Sequence, residues 1–159
     1  MGRRSERLVP QISPNKFTHW FSKMKQILDE YLSENGIEAQ KADDDVMFSV
    51  NDLNFICRFY PDDPFFIQFI LPYVDERNAS EMRDYLTDVN RRFKVAKMIE
   101  VDGKPWIVAE SFVYSKDKAK LLIGRLVRLL TDVYDYYRQT TSEMTSSLRR
   151  DGRNDDNEL

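Results

Sequence analysis

The segment at residues 46–59 reads VMFSVNDLNFICRF and determines the first hairpin of the sheet. Its two halves are rich in aromatic and β-branched residues, which is typical of strands. Between the halves, Asn51 and Asp52 form a two-residue turn, because both residue types tolerate the positive φ angles that such turns require. The turn places apolar residues opposite one another in three pairs: Val50 with Leu53, Phe48 with Phe55, and Val46 with Cys57. The stretch therefore predicts an antiparallel hairpin with one wholly apolar core face.

Outward from this hairpin, similar patterns predict further strands and three helices. Ranges 37–41, 65–73, 94–101 and 104–114 have strand-like composition, and Asp102-Gly103 between the last two is a strong hairpin signal. Apolar residues recur at helical spacing in ranges 14–34, 79–93 and 115–139, and Asn35-Gly36 ends the first helix. We predict an α+β fold with an antiparallel sheet of five or six strands flanked by helices. The element order is helix, three or four strands, helix, two strands, helix.

The composition is that of a single folded domain. The chain has 159 residues, of which 42% are hydrophobic and 13% aromatic, enough for a core that needs no metal or disulfide. We place this domain at residues 14–140. Residues 1–13 are polar and basic and are predicted to form a flexible N-terminal arm. Residues 141–159 are polar and charged without any period, and are predicted to be a disordered tail.

The second face of the predicted sheet carries more apolar residues than a solvated face needs. A four-residue loop after residue 60 would mix the two faces, so we predict a five-residue loop or a bulge around residues 60–65. In one of the allowed registers Met47, Ile56 and Ile70 line up across three strands, and Tyr60 pairs with Phe66. A helix, the tail or a partner strand could cover this row. Otherwise these five residues form a partner-binding surface.

Nothing in the sequence indicates an active site. The net charge of −3 offers neither the basic face that nucleic acids need nor a polybasic segment for a membrane. No apolar run approaches the ~20 residues of a membrane span. The single histidine, His19, borders the apolar stripe of the first helix, and the single cysteine, Cys57, lies on the predicted core face. We therefore predict a cytoplasmic, non-enzymatic protein with no catalytic residue, metal site or cofactor.

The element order resembles that of the type III secretion chaperone-like fold and its YbjN-like relatives. The segments that carry the resemblance are the helical stripe 17–32, the strands 46–73, the helix 82–93, the Asp102-Gly103 hairpin and the helix 122–137. The resemblance covers about residues 14–140. It implies a small helix-flanked antiparallel sheet in a non-enzymatic, often dimeric protein that holds an extended segment of another protein against apolar patches.

These patterns support two hypotheses of function. The leading one is a protein-interaction module, chaperone-like in one form, that binds an extended segment of another protein on the apolar sheet surface. The alternative is a small-ligand sensor or carrier with a pocket between sheet and helices, lined by aromatic residues such as Trp20, Phe69 and Trp106. The wide apolar face of the third helix is also compatible with a homodimer.

Overall fold

Three helices and one six-stranded sheet make up residues 14–151, the part of the chain that the computed structural model describes. In chain order the elements are α1 (Pro14–Glu34), β1 (Ala39–Ala42), β2 (Asp45–Val50), β3 (Leu53–Phe59), β4 (Phe66–Leu71), α2 (Arg83–Arg92), β5 (Ala96–Val101), β6 (Lys104–Phe112) and α3 (Lys116–Asp151). The strand order is β1-β2-β3-β4-β6-β5, and all neighbouring strands are antiparallel. The predicted α+β fold and its element order are confirmed.

Two tight turns set the hairpin registers. Asn51 and Asp52 have φ angles of +50° and +63°, and Asp102 and Gly103 have φ angles of +49° and +76°. Positive φ at both central residues is the geometry of the two-residue turn that matches strand twist. Both predicted hairpins are therefore confirmed, and each carries residue types that tolerate this backbone conformation.

The connection between β3 and β4 has the odd length that the apolar pattern requires. Phe59 pairs with Ile67, and the rings of Tyr60 and Phe66 follow at 5.2 Å between centroids. The predicted five-residue loop is confirmed. Strand β2 begins at Asp45, which lies opposite Arg58 of β3.

Helix α2 begins later than its sequence pattern indicates. Asn78 donates its backbone N–H to the Glu81 carboxylate at 2.9 Å, one of the two bonds of a helix capping box. Residues 79–82 nevertheless form turns, and the helix starts at Arg83. The N–H of Ala79 bonds the carbonyl of Gly103 at 2.9 Å. This tie to the β5–β6 hairpin holds the segment in a turn before the helix starts.

Helix α3 runs to Asp151 and so passes through the first part of the predicted disordered tail. Residues 141–151, predicted as part of the tail, are helical in this structure, and the domain boundary at residue 140 stays a prediction. Hydroxyls of Thr140, Thr141, Ser142 and Thr145 each bond a backbone carbonyl four residues earlier, at 2.7–3.0 Å. These bonds satisfy the hydroxyl groups within the helix itself, so they need no partner outside it. The predicted arm at 1–13 and residues 152–159 lie outside the described residues.

The core lies between the helices and one face of the sheet. Its fully buried members include Leu28 of α1, Phe55, Cys57, Phe69 and Ile107 of the strands, and Ile123 and Leu130 of α3. Helices α1 and α3 approach closely at Gly124, where an added Cβ would lie 3.4 Å from the ring of Tyr31. The buried residues of the helices thus share one cluster with the sheet face that the first hairpin predicts to be core.

A buried carboxylate anchors the β4–α2 connection to α3. Asp75 accepts hydrogen bonds from the Arg77 guanidinium at 2.9 and 2.7 Å, from the Arg77 backbone at 2.9 Å, and from the Tyr137 hydroxyl at 2.6 Å. Burial alone would raise the pKa of Asp75, but these hydrogen bonds outweigh it and lower the pKa to about 2. Burial and the bond to Asp75 raise the pKa of Tyr137. The ionised side chains of Asp75 and Arg77 and the neutral hydroxyl of Tyr137 thus connect this segment to α3.

Candidate functional site

The second face of the sheet brings the predicted surface residues together. Met47 lies opposite Ile56, Ile56 opposite Ile70, and Ile70 opposite Val108. These four side chains form a row across β2, β3, β4 and β6, which we call the apolar row. The register predicted for the first three is confirmed, and β6 extends the row by one residue.

Accessibility divides this row into a rim and a floor. Met47 is 36% exposed and Ile56 is half-buried, whereas Ile70 is only 2% exposed and Val108 is buried. Ile70 and Val108 lie in the neighbouring central strands β4 and β6. Neither belongs to the main core cluster. Ile70 has almost no exposed area in the free chain, and its contact with a partner stays a prediction.

A second row on the same face consists of aromatic rings. Tyr60 contacts Phe66 with centroids 5.2 Å apart, Phe66 contacts Phe112 at 5.5 Å, and Phe112 stacks on Tyr114 at 6.0 Å. We call these four residues the aromatic row. Tyr60 and Phe66 are half-buried, but Phe112 is 53% exposed. The row presents a continuous strip of ring faces and edges at the end of the sheet near β6.

Phe112 and Tyr114 were missed from the sequence, because the last hairpin has charged residues on both sides. The register set by the two-residue turn at Asp102-Gly103 would have identified Phe112. It pairs Ile99 with Trp106, and counting in twos from Trp106 along β6 leads to Val108 and then to Phe112 on a single face.

Polar side chains separate the two rows and hold the strands in register. Arg58 donates two hydrogen bonds of 2.9 Å to Asp45 across β2 and β3, and the bond to Asp45 raises the pKa of Arg58. The Tyr60 hydroxyl donates to Gln68 at 2.9 Å, and the Gln68 amide donates to Glu110 at 2.8 Å. Each of these polar side chains already has a hydrogen-bond partner. The line could therefore orient a bound chain, but it presents no reactive group.

A shallow depression lies beside the apolar row. It has a volume of about 610 Å³ and is lined by residues of β1, β2 and β3, including Met47, Ser49, Asn54 and Ile56. Ser49 donates its hydroxyl proton to Asn54 at 2.7 Å. An apolar floor with a polar edge of this kind suits a side chain of a bound polypeptide.

The aromatic residues predicted to line an internal ligand pocket do not come together. Phe69 is fully buried in the core, whereas Trp106 lies on the second face, where its ring contacts Tyr73 at 5.3 Å. Trp20 lies at the end of α1, with its ring 5.3 Å from Phe65. The sheet itself separates Phe69 from Trp106, so a shared cavity between sheet and helices does not form from these three.

The one histidine and the one cysteine of the chain lie apart, one on the surface and one in the core. His19 is exposed, and its Nε2 lies 3.2 Å from the Lys116 ammonium group. Cys57 is completely buried, and burial raises the pKa of its thiol, which keeps it protonated. Both therefore have the structural surroundings that their sequence positions predict.

Neither a metal centre nor a membrane-spanning helix is found in the described part of the chain. Across residues 14–151, His, Cys, Asp and Glu side chains form no group of three or more that could hold a metal ion. None of the helices in that range is both long and apolar enough to cross a membrane. Neither a protein-family model nor a curated protein sequence matches this chain.

Proposed function

We propose that this protein is a protein-interaction module that binds an extended segment of another protein on the second face of its sheet. One observation carries the proposal. The apolar row and the aromatic row lie together on a sheet face against which none of the helices of residues 14–151 packs. The three helices pack against the core face instead.

The exposed members of this face have the chemistry of a peptide-binding surface. Burying a side chain such as Met47 or Phe112 contributes about 1.5–3 kcal/mol. Only the surplus over the entropy lost on association becomes affinity. Three or four such side chains contribute about 5–12 kcal/mol before that cost is subtracted, so we expect weak binding.

The proposal extends to a chaperone-like role in the cytoplasm. The element order supports the likeness to the type III secretion chaperone-like fold and YbjN-like proteins, whose implied role is to hold an extended segment against apolar patches. That likeness also implies a homodimer. The partner is a protein; nucleic acid, metal and cofactor have no part in the proposal.

The test uses a defined ligand. Peptides selected from a random library against the full chain are synthesised, and their binding to wild-type and variant proteins is measured by fluorescence anisotropy. The variants are Met47→Glu on the apolar row and Phe112→Glu on the aromatic row, both at exposed positions. Each is expected to weaken binding about tenfold, because a carboxylate cannot be buried against an apolar peptide side chain without a partner.

Thr87→Glu is the matched control. Thr87 is exposed on α2, on the helix side of the sheet, and belongs to neither row, so an added carboxylate there should leave peptide binding unaltered. Circular dichroism of each variant establishes that it is folded. Peptides that bind Met47→Glu and Phe112→Glu as tightly as the wild type would disprove the proposed surface.

A further inference from the structure

A groove that α2 does not cover runs beside the first half of α3, on the helix side of the sheet. Helix α2 packs against the second half of α3, where the rings of Phe93 and Tyr136 lie 5.5 Å apart. Beyond this contact two adjoining depressions, of about 530 and about 340 Å³, share Ser111, Leu122 and Arg125 in their linings. They form one groove, with leucines of α3 along its floor.

The groove has a cationic rim. Lys118, Arg125 and Arg128 line it, are all exposed, and form no salt bridge with any described carboxylate. Lys120, on the other side of α3, bridges two glutamates of α1 at 3.3 and 2.8 Å. Asp132 is the one carboxylate among the lining residues. Three cations against one anion favour an acidic occupant.

The groove also runs under an unpaired strand edge. Strand β6 continues to Phe112, but β5 pairs with it only as far as Ala109. The chain turns away at Val95, which has a φ of +73°. Val113 donates its N–H towards β4, to Phe65. Because amides alternate in direction along a strand, the N–H of Phe112 points to the side without a described strand.

From these observations we propose that this flank binds an acidic, extended segment of a partner protein, which adds as a short strand beside residues 110–112. Side chains on the inner face of that segment alternate between apolar residues, which lie on Leu122 and Leu129, and carboxylates, which pair with Arg125 and Arg128. Strand addition with side-chain pockets is an established form of peptide recognition. Phe112 and Tyr114 of the aromatic row also line one end of the groove, but the proposed pairing with residues 110–112 and α3 does not require the second face to bind a protein.

The probe is a fluorescein-labelled peptide with the repeat Val-Ser-Glu-Ser, which as a strand presents valine and glutamate on one face. Its binding to the full chain is measured by fluorescence anisotropy at low and moderate salt. We expect Arg125→Gln/Arg128→Gln to weaken binding about tenfold, the effect of two exposed charge pairs at the upper end of their usual strength. Added salt should also weaken wild-type binding, because it screens the same charge pairs. Hydrogen exchange should show the Phe112 amide protected when peptide is bound.

The control variant Arg83→Gln/Arg91→Gln removes the same charge from α2, where both arginines are exposed, and should bind the peptide normally. A second peptide, Val-Ser-Lys-Ser, should not bind. Equal binding of the lysine peptide, equal loss in the control variant, or an unprotected Phe112 amide would each overturn the proposal. So would self-association that depends on Arg125 and Arg128 without peptide binding, since the occupant would then be a second copy.

Discussion

Replacing Asp75 by asparagine should destabilise the fold by about 2 kcal/mol at neutral pH. The carboxylate of Asp75 is 4% exposed and its pKa is lowered from 3.8 to about 2. Each unit of pKa shift corresponds to about 1.4 kcal/mol of preference for the charged form in the folded state. Asparagine keeps the shape of the side chain, but it removes the negative charge that faces the Arg77 guanidinium. It also replaces one of the two acceptor oxygens by an amide nitrogen, which cannot accept a hydrogen bond.

The pH dependence has a defined sign. The pKa of Asp75 is lower in the folded than in the unfolded state, so its contribution is complete above the unfolded pKa. It is lost as the pH falls from about 4 to about 2, because the carboxylate is then protonated in the folded state as well. The stability of the wild type should therefore decrease through this window more steeply than that of Asp75→Asn.

Urea unfolding followed by circular dichroism, at neutral pH and at several values through the acid window, measures both effects. Tyr137→Phe is the companion variant, because it keeps the charge and removes only the hydrogen bond of 2.6 Å to Asp75. A bond to a charged group contributes about 1.5–3 kcal/mol, so this variant should lose stability at neutral pH. If Asp75→Asn were as stable as the wild type, or had the same acid dependence, the cluster would not stabilise the fold in this way.

Three further changes test the backbone and the depth of the second face. Val95→Gly should stabilise the fold by about 0.5–1 kcal/mol, measured by thermal or urea unfolding. Val95 is 56% exposed and has a φ of +73°, a conformation that costs a β-branched residue more than glycine. A loss of stability would contradict this. Gly124→Ala should stabilise α3 by up to about 1 kcal/mol, because the new Cβ would lie 3.4 Å from the Tyr31 ring, an ordinary contact; a net loss would show that the two helices cannot adjust. Ile70→Glu should cost about 3 kcal/mol or more, whereas Met47→Glu should cost less than about 1 kcal/mol, since their exposures are 2% and 36%; similar costs in urea unfolding would contradict the division of the apolar row into floor and rim.

Short-range features of the fold are predictable because their causes are local. The φ angles at Asn51-Asp52 and Asp102-Gly103 depend on residue type, and the period of two along each strand fixes which residues share a face. The same arithmetic, applied to the two-residue turn alone, places Met47 opposite Ile56. Sequence therefore predicts the hairpins, the odd loop between β3 and β4, and the register of the apolar row.

Depth and strand order could not be obtained in the same way. The sequence places Ile70 on the second face, but its burial depends on β6 lying beside β4, a pairing between segments about forty residues apart along the chain. Phe112 joins the surface through the same pairing. The late start of α2 depends on a bond between Ala79 and Gly103, which no pattern near residue 79 contains. These features follow from tertiary contacts that override local preference.

The way the sheet edges are protected is a further argument for function on the second face. A strand at the edge of a sheet can pair with other chains, and proteins usually prevent this with charge or cover. At β5 the side chain of Asn90 does so, because its amide donates to the Met98 carbonyl at 3.0 Å and accepts the Met98 N–H at 2.7 Å. At β1 the strand is short and exposed, and it carries Lys41, which pairs with Asp29 at 2.6 Å.

No comparable protection is found, within residues 14–151, over the rim of the apolar row, over Phe112, or beside the last residues of β6. If exposed apolar surface were merely tolerated in this fold, the edges would have no reason to differ from these places. The edges are covered or charged, but Met47 and Phe112 remain exposed. We infer that they are exposed because a binding partner needs access to them. This contrast is why we place both binding surfaces where protection ends. It also explains why we expect Met47→Glu and Phe112→Glu to leave the fold intact while they weaken binding.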